Sequence, residues 1–156
     1  MQPLYFVERK FSYPVQRLWR AWTNAEELEN WYCPIYLNVI PGSALSEPVV
    51  GGRWAIAVDV FANGFNAYFW GTYKEVQENK KLVHELCYSQ DELEFALRET
   101  QAEAHLIEVE FTELDNSCNV RFSQFGEMDQ EQSEASKEGI ESYFDNLETF
   151  LSSKPS

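Results

Sequence analysis

At 156 residues the chain has the length of one domain. With 44% hydrophobic and 15% aromatic residues it can bury enough surface to offset the entropy of ordering, which excludes wholesale disorder. A net charge of −14 opposes contact with phosphate backbones and anionic bilayers, so nucleic acid is excluded as a partner and membrane surfaces are disfavoured.

Residues 4–11 form a β-prone run with partial alternation, the first expected strand. Pro14 then opens a short helix whose apolar face carries Val15, Leu18, Trp19 and Trp22. Thr23 and Asn24 are both suited to cap a second helix, which runs through Leu28, Trp31 and Tyr32 and ends at Pro34. Ile35–Ile40 reads as a short strand and Trp54–Phe61 as an alternating one. Ala62-Asn63-Gly64 is a hairpin turn, because Asn-Gly readily adopts positive φ. Its partner strand is Phe65–Val76, followed by a strand over Leu82–Tyr88. Residues 89–104 suit either a short helix capped near Ser89-Gln90-Asp91 or a charged loop, and the helix is the reading adopted. His105–Glu113 and Cys118–Phe125 are the last two strands. Ile140, Tyr143, Phe144, Leu147, Phe150 and Leu151 recur on one stripe, so a long helix is expected over 133–151. Gly139 interrupts it, where glycine costs ~1 kcal/mol relative to alanine and permits close approach of a strand or ligand.

The expected class is α+β: a curved antiparallel sheet of about seven strands wrapped around one long C-terminal helix, with two short helices after strand 1. The whole chain, 1–156, is read as a single domain. No apolar run approaches membrane-spanning length, and the N-terminus lacks the basic and apolar regions of a signal peptide. Cys33, Cys87 and Cys118 are odd in number and form no CxxC pair. A cytoplasmic location with three free thiols is therefore expected.

A sheet curving away from a helix leaves a gap wherever side chains fail to fill it. The candidates to line such a cavity are Trp31, Trp54, Tyr68, Trp70, Phe122, Tyr143, Phe144 and Leu147, with core filling the expected role of most of them. Tyr68, Tyr143, Asn66 and Arg121 are the candidate polar groups within it. Arg121 alternates with Val120 and Phe122, so it either pairs with Glu108 or Glu110 outside or anchors a ligand carboxylate inside. Glu108 and Glu110 share a face, read as the wet one. His84 and His105 have no metal-spaced neighbour, and no nucleophile elbow or phosphate-cradling loop occurs. No catalytic residue, metal or cofactor is assigned, and no feature sets an oligomeric state.

The motif Phe11-x-x-Pro14-Val15-x-x-Leu18-Trp19-x-Ala21-Trp22-Thr23-Asn24-Ala25-Glu26-x-Leu28-x-x-Trp31 resembles the opening of the Hsp90 ATPase activator homologue family, within the START-like (SRPBCC, helix-grip) superfamily. Gly51-Gly52-Arg53-Trp54, Gly71-Thr72-Tyr73-x-Glu75-Val76 and Asn79-x-x-Leu82-Val83 resemble its later motifs. Gly139-Ile140 departs from the Gly-Trp pair frequent there. The superfamily hosts lipid binders, cyclases, hormone receptors and co-chaperone domains, so fold is implied more sharply than chemistry. The expectation placed first is a non-catalytic binding domain for a small apolar molecule. A protein-interaction role with a chaperone or other protein follows, since the eukaryotic activator uses an additional N-terminal domain for which this length leaves no room. A cyclase- or hydrolase-type enzyme comes third.

Overall fold

Alternation along the strands decides which residues face inward, and the sheet builds on that. The computed structural model describes residues 2–153. Its strands are β1 (Tyr5–Phe11), β2 (Asn38–Val39), β3 (Leu45–Ser46), β4 (Arg53–Val60), β5 (Phe65–Gln77), β6 (Lys81–Ser89), β7 (His105–Leu114) and β8 (Ser117–Phe125). Helices are α1 (Val15–Thr23), α2 (Ala25–Trp31), α3 (Glu92–Leu97) and α4 (Gln130–Ser153). The antiparallel order is β1-β8-β7-β6-β5-β4, and β2 and β3 lie one after the other along the outer edge of β4. The curled sheet, the long C-terminal helix and the two short helices after β1 are as expected from the sequence.

Pro14 precedes α1 as its cap, with φ −66° and ψ 156°, rather than standing in the first turn. Asn24, not Thr23, caps α2: its side chain accepts the Glu27 N–H at 3.0 Å. Thr23 closes α1 and donates its hydroxyl back to the Trp19 carbonyl. The Glu27 carboxylate does not return to the cap; it binds Arg17 at 2.6 Å and Arg20 at 2.9 Å.

Of the strand expected over Ile35–Ile40, only Asn38–Val39 is strand, paired with Asp59 and Val58 of β4, and the Ile40 N–H extends the contact by donating to the Ala57 carbonyl at 2.9 Å. Leu45–Ser46 carries no strand signal in sequence and is recruited by Ala55 and Trp54 on the same edge. The segment 89–104 does contain a helix, α3, with Asp91 accepting the Leu93 N–H.

The concave face carries Val7 and Phe11 from β1, Trp54, Ile56 and Val58 from β4, Ile107, Val109 and Phe111 from β7, and Val120 and Phe122 from β8. Across it lies α4, burying Ile140, Phe144, Leu147, Phe150 and Leu151. Arg9 fastens the helix to β1 through Asp145 and Glu148, both at 2.9 Å, and Glu141 at 3.4 Å. Asn146 donates to the Trp31 carbonyl and joins α4 to α2. On the convex face Ala55, Ala57, Tyr68, Trp70 and Cys87 form a smaller cluster beneath Phe95 of α3. No described helix is long and apolar enough to cross a membrane.

Candidate ligand cavity

The inward face of α4 changes character along its length. Its C-terminal half presents Phe144, Leu147, Phe150 and Leu151, which fill the space to the sheet. Toward its N-terminus Ser136 and Gly139 face the same way, and a Cβ placed on Gly139 meets no atom within 4 Å. Small side chains opposite a curving sheet leave a void. That void is a partly open cavity of about 450 Å³.

Its apolar wall comes from Trp54, Phe69, Leu86, Ile107 and Phe122 on the sheet, with Ile140 on α4 and Pro34 after α2. Besides the exposed Tyr88 of β6, whose hydroxyl accepts from Gln90, three phenols converge on it: Tyr5 from β1, Tyr32 from the end of α2 and Tyr143 from α4. Burial, chiefly, and then Tyr143, pushes the Tyr5 and Tyr32 hydroxyls well above the ordinary phenol range. Tyr143 is raised by burial and then by Cys33. All three are neutral groups, fit to exchange hydrogen bonds and not to act as bases. Among the described residues, the hydroxyls of Tyr32 and Tyr143 have no hydrogen-bond partner.

A polar chain occupies one side of the cavity. The Tyr5 hydroxyl donates to Gln124 Oε1. Gln124 Nε2 lies 2.8 Å from His105 Nδ1, and His105 Nε2 lies 3.2 Å from the Glu127 carbonyl. Gly126, at φ 150°, lets the imidazole lie against the backbone, since a Cβ there would overlap the ring. The one carboxylate at the lining is Glu103, on the exposed rim, and no lysine or arginine lines the cavity.

Of the eight residues read as cavity candidates, Trp54, Phe122 and Tyr143 line it. Trp31, Phe144 and Leu147 lie in the packed core beside it, Trp31 edge-on to Trp22 at 4.7 Å. Tyr68 and Trp70 are on the convex face, where Tyr68 stacks on Phe95 at 4.9 Å and Trp70 donates to the Glu99 carbonyl. The period of two explains this: Phe65, Ala67 and Phe69 hold the inward positions of β5. Asn66 shares the convex face and donates to the Tyr68 hydroxyl. Arg121 neither enters the cavity nor pairs with Glu108 or Glu110; its guanidinium lies 4.0 Å from the Phe6 ring centroid. Glu108 takes Lys81 at 3.1 Å instead. Sequence reasoning passed over Tyr5, His105 and Gln124. Their signal was a polar residue in the inward register of β7 and β8, at the same end of both strands.

His84 sits behind Trp54, with ring centroids 4.1 Å apart, and its Nδ1–H donates to the Glu85 carbonyl. Burial pushes its pKa from about 6.5 down to about 4. The unfolded chain therefore binds this proton first as pH falls. Its contribution is fully present above about pH 6.5 and is lost progressively down to about pH 4. That gap corresponds to roughly 3 kcal/mol. Urea unfolding between these pH values should show the loss in the wild type, and His84→Phe should flatten that part of the profile.

Among the described residues no group of three His, Cys, Asp or Glu side chains is placed to hold a metal ion. Cys33, Cys87 and Cys118 are buried and unpaired.

The comparisons agree with this architecture. A protein from Chromobacterium violaceum superposes with a TM-score of 0.79 at 18% identity, covering 97% of this chain and 98% of that one. A protein from Silicibacter pomeroyi, titled AHSA1, gives 0.78 at 17% identity over 95% and 96%. One from Mesorhizobium loti gives 0.69 at 21% identity over 97% and 98%. At these identities the likeness is one of fold. No curated protein sequence matches the chain. The family model described as activator of Hsp90 ATPase homolog 1-like protein matches residues 12–152, and the chain belongs to that family.

Proposed function

We propose that the chain is a non-catalytic binding domain that holds a small, largely apolar molecule between the sheet and α4. The observation that carries this is the cavity itself: about 450 Å³, within the range of small-molecule sites and walled mostly by apolar side chains. Its polar groups are chiefly phenols, two amides, a serine hydroxyl and an imidazole, with one carboxylate, Glu103, at the exposed rim, a set suited to orienting a ligand. The whole chain acts as one unit in this reading, in a reducing cytoplasm that keeps its thiols free.

The test is uptake of a polarity-sensitive apolar dye, with its displacement by an apolar library followed by thermal stabilisation. A ligand at a hundredfold its Kd stabilises by about 2.7 kcal/mol. Gly139→Phe should abolish uptake while leaving the domain folded, because the ring projects into open space. Gly139→Ala should retain uptake and raise stability by about 1 kcal/mol. Absence of uptake in the wild type would remove the reading.

Family membership favours a second reading, a co-chaperone-like contact with an Hsp90-type ATPase. It predicts that the chain accelerates ATP hydrolysis by that chaperone, and an unchanged rate would set it aside.

A further inference from the structure

We infer that the cavity selects a neutral ligand carrying both a hydrogen-bond donor and a separate oxygen acceptor, the donor meeting Tyr5 and the acceptor meeting Tyr32 and Tyr143. This rests on the binding reading above and specifies its ligand class.

The Glu127 carbonyl can only accept, so His105 Nε2 carries the proton it receives. In the tautomer with its proton on Nε2 the ring offers Nδ1 as an acceptor, and Gln124 turns its NH₂ toward it at 2.8 Å. That turns Gln124 Oε1 to Tyr5, whose hydroxyl donates to it. In this tautomer each link has one direction, starting from a carbonyl that can only accept. Tyr5 has therefore committed its only proton, and what it offers the cavity is an oxygen lone pair. Tyr32 and Tyr143 are the opposite case. Their hydroxyls have no partner among the described residues, so their protons are available for a ligand oxygen. Their rings meet at 5.0 Å, edge to face, and both residues line the cavity.

Leaving either end unmatched buries a polar group without a partner, and this is the basis of discrimination. A carboxylate fails for a different reason: no cation lines the cavity, Glu103 stands at its rim and the chain carries −14.

The probes are para-hydroxybenzophenone, para-methylbenzophenone, in which a methyl of similar size replaces the donor, para-benzylphenol, in which CH₂ replaces the carbonyl, and the anion para-benzoylbenzoate. Calorimetry on the whole chain at neutral pH should find the hydroxy ketone about tenfold tighter than each of the other three. In Tyr5→Phe the hydroxyl-to-methyl preference should fall to about one, with the ketone preference kept. Double substitution Tyr32→Phe with Tyr143→Phe should erase the ketone preference alone. Equal wild-type affinities for the hydroxy and methyl ketones overturn the inference, as does a hydroxyl preference that survives in Tyr5→Phe. Binding of the apolar dye but of none of the four probes also overturns it and leaves the binding reading standing. Exclusion of the dye as well overturns both.

Discussion

Replacing Phe144 with alanine should cost about 3–5 kcal/mol of stability. Phe144 is fully buried near the centre of α4, and its ring lies 5.7 Å from Phe11 and 6.1 Å from Trp22. It is the point where the helix, the first strand and α1 meet. The cavity-facing part of α4 adds Ile140 and the Tyr143 ring but is otherwise thinned by Ser136 and Gly139. The grip of the sheet on this helix is therefore concentrated in Phe144, Leu147, Phe150 and Leu151. Truncating the ring removes its transfer free energy and leaves a hole that rigid aromatic neighbours cannot collapse into. Urea unfolding should show a lower midpoint with an unchanged slope. A shift below about 0.5 kcal/mol would mean that α4 is held by something other than this core.

Glu27→Gln should cost about 3–5 kcal/mol, although its carboxylate lies near the surface. The reason is its partner. Arg17 is only 3% exposed, its Nη1 is held by Glu27 at 2.6 Å, its Nε has no acceptor and its guanidinium lies 5.3 Å from the Phe150 ring. Glu27 supplies the single opposite charge within ion-pair distance of it among the described residues. Neutralising Glu27 strands a buried cation. Arg17→Met removes the cation with the group that needs it and keeps an apolar stem against Phe150, so it should cost less than about 1 kcal/mol. The two variants together separate a buried-charge penalty from a simple loss of attraction. Equal losses in both would show that the pair acts only through its contacts.

Much of this protein was legible in one dimension. The helix stripe from Ile140 to Leu151, the alternation of His105–Glu113 and the turn closed by Gly64 at φ 76° all rest on local periodicity and backbone preference, although Asn63 ends a short 3-10 turn over Phe61–Asn63 instead of sharing the positive φ expected of Asn-Gly. The short strands did not declare themselves: Leu45–Ser46 is a strand only because β4 has an open edge beside it. The cavity divides in the same way. Trp54, Phe122 and Tyr143 could be named from composition and pattern. Tyr68 and Trp70 were indistinguishable from them until the register of β5 turned both outward beneath Phe95. A shift of one residue exchanges the two faces of a strand, and no residue's identity states which face a second layer will cover. The polar chain from Tyr5 to Glu127 joins residues 119 positions apart for its first bond, Tyr5 to Gln124. Its direction comes from a backbone carbonyl. Local chemistry thus determined the elements and the aromatic supply, while the pairing of distant strands decided which side chains share an enclosed space and which way their protons point.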